Sequence, residues 1–184
     1  YMYSSNFTPA WLSIFLSQFS DEVENIRKNY YADSNILVTQ AYAVAMAGVL
    51  LPEFKNASTW LEEGANKLNT QVQEQFNEDG VHYELDPSYH IGAISDFYNI
   101  YEVAQKNNKA NKFPAMFPDN ENMKWMATEG NEGEKPTYLT KAYKYSGYYI
   151  LRNGWDAGST MLILKNNYNP DDKWHCQPDN GTFS

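Results

Sequence analysis

The stretch SNILVTQAYAVAMAGVLLPEF, residues 34–54, decides the class of fold that this chain adopts. From Ser34 to Leu51 nearly every residue is apolar or small, and Pro52 then ends the run. A helix that is apolar around most of its circumference is buried on most sides. A proline stops such a helix because it lacks the N–H that the next turn requires. The stretch therefore predicts a buried helix that opens near Asp33-Ser34 and ends at Leu51.

Three further helices are predicted around this segment. One opens at Thr8-Pro9, where a hydroxyl cap is followed by a proline whose missing N–H costs nothing. Another begins at Ser58 and ends before Asp79-Gly80, and the last opens at Pro87-Ser88 and ends in the polar residues 106–109. Apolar residues recur in all three at helical spacing. Four helices joined by short loops pack as antiparallel neighbours, which predicts a helical domain over residues 1–113.

The pattern changes after residue 113. Residues 114–137 are rich in proline, glycine and polar side chains, which is typical of a linker or long loop. Lys144–Arg152 and Ser159–Lys165 have the composition of strands, with turn residues between them, and Gly181–Ser184 would begin a third. The chain is therefore predicted to be α+β, with a β domain opening at residues 138–184. We expect both termini to be cut, because no signal segment follows Tyr1 and the last residues resemble a strand in mid-course.

Composition and charge exclude several classes of function. The net charge of −9 argues against a nucleic-acid partner, which needs clustered lysine and arginine. No apolar run approaches the roughly 18 residues of a membrane span, and the single Cys176 permits no intrachain disulfide. Aromatic residues make up 16% of the chain. They fit either a ring-rich core or a sugar cleft, where ring faces contact the C–H faces of pyranoses.

Three polar segments are candidates for a functional site. Asp33-Ser34-Asn35 opens the buried helix, where an N-cap is the simplest interpretation. Gly80–His90 places two histidines, two tyrosines, a glutamate and an aspartate in eleven residues, a density that indicates a site as well as a capped loop. Trp174–Gly181 contains a histidine, a cysteine and a glutamine, but their spacing matches no zinc motif, and its Pro-Asp-Asn-Gly run favours a turn.

Helix topology connects the first two of these segments. If the helices alternate in direction, Asn35 and Tyr89 both lie near helix N-termini at the same end of the bundle. Helix N-termini present unpaired N–H groups and the positive end of the dipole, which favours a carboxylate ligand. A cleft at this end would therefore suit a uronic acid.

The sequence also resembles a known family. Residues 34–54, DGVHYELDPSYH at 79–90 and WHCQPDNGTFS at 174–184 are similar to stretches of the heparinase II/III superfamily of polysaccharide lyases, in particular the heparan-sulfate lyases of the heparinase III type. The resemblance implies an (α/α) toroid of helical hairpins followed by an antiparallel β-sandwich domain, with the active site between them. It further implies a secreted or periplasmic bacterial protein.

The activity implied by the resemblance is β-elimination on an acidic polysaccharide such as heparan sulfate. The proton at C5 of a uronate is removed and the C4 oxygen is expelled. The amide of Asn35 would stabilise the charge that develops on the carboxylate, Tyr89 would act as general acid or base, and His175 would face the substrate. Four further residues are the expected substrate contacts: Tyr83, Glu84, His90 and Arg152.

The resemblance implies no cofactor for the chemistry, although a structural divalent cation is compatible with it. Many relatives have His-x-His where this chain has His175-Cys176-Gln177. Gln177 as a ligand favours a hard ion such as calcium over zinc. Ile36 follows Asn35 where many relatives have histidine, so the role of that histidine is missing or supplied elsewhere. A further histidine and an aspartate are expected beyond Ser184, so the site in this chain is expected to be incomplete.

Three other functions remain open at this stage. The first is lysis of alginate or another polyuronate by a protein of the same architecture, since 14 lysines and arginines do not decide the substrate. The second is glycoside hydrolysis with a carboxylate pair such as Glu84 and Asp86. The third is glycan binding without catalysis.

Overall fold

The computed structural model describes residues 7–116, 121–122, 125, 130–166 and 181–183. The helices are α1 (Pro9–Lys28), α2 (Ser34–Leu50), α3 (Ala57–Glu74) and α4 (Pro87–Lys106), followed by a short 3₁₀ helix, Ala110–Lys112. The strands are β1 (Thr140–Tyr143), β2 (Tyr148–Arg152), β3 (Met161–Lys165) and β4 (Thr182–Phe183). They form one antiparallel sheet in the order β1-β2-β3-β4. The prediction of helices followed by an antiparallel sheet is confirmed.

The chain divides into two compact units. The first comprises residues 1–71 and 96–113, and the second comprises residues 72–95 and 114–184. The start of α4 therefore belongs to the same unit as the sheet. The predicted domain limits at residues 113 and 137 stay a prediction. No described helix combines the length and hydropathy that crossing a membrane requires.

The first unit is organised around α2. This helix has buried residues on most of its circumference, from Leu37 to Val49, as its composition predicts. Trp60 of α3 is fully buried and packs with Val23 of α1 and Val44 of α2. The Trp60 indole donates to Glu24 Oε1 at 2.8 Å. This hydrogen bond, together with those from Asn56 and Arg27, lowers the pKa of Glu24.

The helix starts differ in how they are capped. Thr8 caps α1 as predicted, since its hydroxyl accepts a hydrogen bond from Trp11 N at 3.2 Å. The N-cap of α2 is Asp33, within the predicted segment, but Asp33 forms no side-chain capping bond. Instead Ser34 Oγ accepts from Ile36 N at 3.3 Å, and Ser34 itself has a φ of 73°.

The sheet of the second unit departs from prediction at its first hairpin. The strand predicted at Lys144–Arg152 is wrong in its first half, because residues 144–147 form a turn and only Tyr148–Arg152 is extended. Gly147 adopts a φ of 70°, which reverses the chain, and the preceding strand β1 was missed. The β2–β3 hairpin is confirmed, with Ile150 opposite Ile163.

Candidate functional site

The second unit contains a cavity of 590 Å³ between the start of α4 and one face of the sheet. This volume is within the range of small-molecule sites. The helix and its preceding loop contribute Asp79, Gly80, Val81, Asp86, Pro87, His90 and Ile94. The loop before β1 and the strands contribute Tyr138, Lys141, Tyr143, Tyr148, Ile150 and Ile163, and Asn122 completes the described lining. The segment Gly80–His90, predicted as a site, thus forms one wall of the cavity.

His82 is the buried anchor of this wall. Its Nδ1 accepts a hydrogen bond from Glu84 N at 3.4 Å, so its Nε2 carries the proton and donates to Gln75 Oε1 at 3.0 Å. The ring is fully buried, and burial with the nearby His90 lowers its pKa to about 4. His82 is therefore a neutral structural histidine at ordinary pH.

His90 faces the cavity in a defined tautomer. Its Nδ1 accepts a hydrogen bond from His82 N at 3.1 Å, so the neutral ring carries its proton on Nε2. Burial lowers the pKa of His90, which favours this neutral form. The side chain is thus a hydrogen-bond donor to a ligand rather than a general base.

Asp86 starts α4 and positions Tyr89. Its Oδ1 accepts from Ser88 N at 2.8 Å and from Tyr89 N at 3.2 Å, which is the geometry of a helix cap. Leu85, immediately before it, has a φ of 56°, which is uncommon for a residue with a side chain. Tyr89 is half-buried in the first turn of α4, next to His90.

Hydrogen bonds connect the sheet to the opposite wall of the cavity. Asp79 accepts from the Ser146 hydroxyl at 2.7 Å and from Ser146 N at 2.9 Å, and Asn77 donates to the same hydroxyl. The Tyr148 hydroxyl donates to Leu85 O at 2.5 Å. The loop that precedes α4 is therefore held against the β1–β2 hairpin.

Asn35 is the second residue of α2 and is half-buried. Its side chain forms no hydrogen bond with any residue that the structure describes, which leaves the side-chain amide available. Ser34 and Leu85 are two of the three described non-glycine residues with positive φ, and each stands at the start of a helix that carries a predicted catalytic residue. Strained backbone of this kind is concentrated at functional sites. Asn35 lies in the first unit and Tyr89 in the second, so their meeting over one sugar ring stays a prediction.

The remaining predicted site residues have different surroundings. Glu84 is only 4% exposed and does not line the cavity. Its position therefore favours a role within the protein over direct contact with a sugar. Tyr83 is half-buried with its ring against that of His82. Arg152 stacks on Trp155, with Cζ 3.6 Å from the ring centroid. His175 and Gln177 lie outside the described residues, and their roles stay predictions.

The cavity residues that the sequence analysis missed include Tyr138, Lys141, Tyr143 and Tyr148. Lys141 and Tyr143 alternate on β1, so both side chains project from one face of the sheet. Burial and, to a smaller extent, the proximity of Tyr138 raise the pKa of Tyr143, so its phenol remains a hydrogen-bond donor. The sequence signal that could have found them is the alternation of side chains along residues 141–143. It was not used, because the predicted strand began only at residue 144.

No group of three or more histidine, cysteine, aspartate or glutamate side chains suited to a metal ion occurs within the described ranges. The predicted cation at Gln177 falls outside them and stays a prediction.

Comparison with known proteins gives consistent similarities. Residues 1–150 match the family model described as the Heparinase II/III N-terminus. The chain is 35% identical to a heparin-sulfate lyase of Bacteroides thetaiotaomicron and 30% identical to one of Pedobacter heparinus, over 98% of this chain in both cases. These alignments cover 35% and 34% of the two relatives, so the chain spans about a third of their length.

Solved structures agree with these relatives. A crystal structure of heparinase III superimposes with a TM-score of 0.81 at 34% identity, covering 100% of this chain and 38% of that one. The heparan sulfate lyase HepC from Pedobacter heparinus gives a TM-score of 0.73 at 30% identity, covering 98% and 35%.

Proposed function

Because the chain belongs to the heparinase II/III family, we propose that it is part of a polysaccharide lyase that cleaves heparan sulfate or a related uronate-containing glycan by β-elimination. Relatives at 30 and 35% identity are named heparin-sulfate lyases. The observation that carries the proposal is the cavity of the second unit, which His90 lines; Tyr89 is next to His90 in the same turn of α4 but is not itself one of the described lining residues.

The proposed chemistry divides between residues of this chain and residues beyond it. On one substrate epimer Tyr89, as tyrosinate, takes the C5 proton and then gives it to the C4 oxygen as the C4–O bond breaks; on the other epimer a separate general base takes the C5 proton, and Tyr89 gives its own hydroxyl proton to the C4 oxygen. Asn35 donates its amide N–H to the uronate carboxylate, where negative charge accumulates once C5 loses its proton. His175 faces the substrate, and further residues of the longer protein complete the site. The neutral His90 donates from Nε2 to a sugar oxygen.

The larger architecture is also proposed. We infer that α1–α4 belong to an (α/α) toroid and that the sheet begins a β-sandwich. Two apolar surfaces support this inference, since a helix stripe or sheet face of this kind is normally covered. One is the stripe of Trp11, Ile14 and Phe15 on α1, and the other is the sheet face with Leu151, Leu162 and Leu164. Relatives from Bacteroides and Pedobacter support a bacterial origin, and the secreted or periplasmic location that the family resemblance implies is part of the proposal.

The decisive experiment uses the full-length protein with Tyr89→Phe. We expect the change to lower kcat by roughly 100-fold or more, because it removes a proton donor and acceptor. The appearance of unsaturated uronate ends, followed by ultraviolet absorbance, is the measurement. Tyr98→Phe, on the same helix but exposed, is the control and should leave turnover intact. Unchanged turnover in Tyr89→Phe would remove this residue from the mechanism.

The same assay separates the competing functions. A panel of heparan sulfate, heparin, hyaluronan and alginate distinguishes a heparan-sulfate lyase from an alginate lyase. Saturated reducing ends without unsaturated uronate would indicate a hydrolase. The structure gives little support to that alternative, because Glu84 is buried and Asp86 is engaged as a helix cap. Binding without any cleavage would indicate a non-catalytic module.

A further inference from the structure

We propose that Lys141 is the residue with which this cavity recognises an anionic group, a carboxylate or a sulfate, of the bound glycan. The inference rests on the proposed function, because it takes an acidic polysaccharide as the ligand. It adds to that function a residue that sets substrate preference.

The charges around the cavity support this role. Three of its described lining residues carry a formal charge: Asp79, Asp86 and Lys141. Both oxygens of Asp79 accept hydrogen bonds from Ser146, and Asp86 accepts two from the backbone of α4. The carboxylates are thus engaged within the protein. Lys141 forms no ion pair with any described residue, so its ammonium group is the charge left for a ligand.

The surroundings of Lys141 restrict where its ammonium group lies. Nζ is 5.8 Å from the ring centroid of Tyr138 and 5.7 Å from that of Tyr143. Aromatic faces at this distance attract a cation without using its N–H donors. The three N–H groups remain free to donate to a carboxylate or sulfate, which is a strong charge-assisted interaction. The tyrosine rings also offer flat apolar surface to a sugar.

The two walls of the cavity therefore differ in charge. The carboxylates of Asp79 and Asp86 lie on the wall formed by the loop and α4, whereas Lys141 lies on the wall formed by β1. An anionic substituent is repelled from the first wall and attracted to the second. The sugar ring then presents uncharged oxygens to His90 and its charged group to the sheet.

The test compares Lys141→Met and Lys141→Arg with the wild type in the full-length protein. Lys144→Met is the matched control, since Lys144 is an exposed lysine three residues further on and does not line the cavity. Loss of one charge-assisted contact should raise KM for heparan sulfate about tenfold in Lys141→Met, with kcat nearly unchanged. Lys141→Arg should stay within roughly threefold of wild type because it keeps the charge. Lys144→Met should match the wild type.

Two substrates separate the sources of the anion. If Lys141 binds sulfate, the KM penalty of Lys141→Met disappears on a fully desulfated, N-acetylated polymer. If it binds the uronate carboxylate, the penalty persists on both substrates. An unchanged KM in Lys141→Met, or an equal rise in Lys144→Met, would overturn the proposal.

The binding of a heparan sulfate oligosaccharide, measured by calorimetry, tests the role of Lys141 without relying on turnover. A wild-type protein that binds the oligosaccharide but yields no unsaturated product refutes the lyase function. The Kd of Lys141→Met then still decides the role of Lys141. Weaker binding supports the proposal, and an equal Kd overturns it.

Discussion

His82 shows at the scale of one residue how the fold sets protonation. An exposed histidine titrates near pH 6.5, whereas the buried His82 has a pKa of about 4. Between these values the unfolded chain binds a proton that the folded chain does not. Stability is therefore full above the unfolded pKa and is lost as the pH falls from about 6.5 towards 4. The free energy of unfolding should therefore be about 2 kcal/mol lower at pH 5 than at pH 7 because of this residue alone.

A titration of the histidine rings by NMR checks this expectation. The signal assigned to His82, identified by its absence in His82→Gln, should stay in its neutral position down to about pH 5. Because glutamine does not titrate, His82→Gln should also show a smaller loss of unfolding free energy between pH 7 and pH 5. A His82 signal that titrates near pH 6.5 would contradict the buried, neutral assignment.

The sequence located some of these residues but could not assign their roles. The density of titratable groups in Gly80–His90 was visible, yet both tautomers depend on which N–H meets which ring nitrogen. Gln75, the partner of His82, carried no signal because it is one polar residue just after a helix. Lys141 was missed because its position in the cavity depends on pairing between strands, which single-sequence patterns report weakly.

At the scale of secondary-structure elements, two glycines determine how closely α2 and α3 approach each other. A Cβ on Gly48 would lie 2.5 Å from Leu61 N and 2.6 Å from Ala57 O. A Cβ on Gly64 would lie 2.6 Å from Ala45 N. These neighbours are backbone atoms, so the helices pack backbone to backbone and cannot yield by rotating a side chain.

We therefore expect Gly48→Ala to destabilise the first unit by about 2 kcal/mol. Alanine favours a helix over glycine by about 1 kcal/mol, so the sign of the result reports the steric contact. Gly92→Ala on α4 is the control, because nothing lies within 4 Å of its added Cβ. Denaturant unfolding should show a lower midpoint for Gly48→Ala and an equal or higher one for Gly92→Ala. Equal gains in both variants would refute the close contact.

Helices were predicted more accurately than strands for a local reason. α1 and α4 begin at the predicted prolines, and α2 ends one residue from its predicted limit. Caps, prolines and apolar spacing act within one or two turns, so the sequence carries them directly. The β1–β2 turn depends on a positive φ at Gly147 and on contacts of Ser146 with Asp79, 67 residues earlier. Such distant contacts are invisible in a short pattern.

At the scale of the whole molecule, the apolar outer face of the sheet bears on what the complete protein packs against it. β2 and β3 place Leu151 opposite Leu162, and Leu164 lies on the same face two residues further along β3. These side chains are 39, 37 and 36% exposed in this chain. A contiguous apolar face of this kind marks a surface that another element covers. In the proposed longer lyase, the covering element is the second sheet of the sandwich.

Leu151→Asp in the full-length protein tests whether this face is covered. If a second sheet packs on it, the new carboxylate is buried without a partner and unfolding free energy should fall by at least about 3 kcal/mol. Ala157→Asp introduces the same charge in the exposed turn between β2 and β3 and should change it by less than about 0.5 kcal/mol. Thermal and denaturant unfolding of both variants gives the comparison. If the two substitutions have equally small effects, the face is open to solvent in the complete protein, and the proposed sandwich is wrong at this sheet.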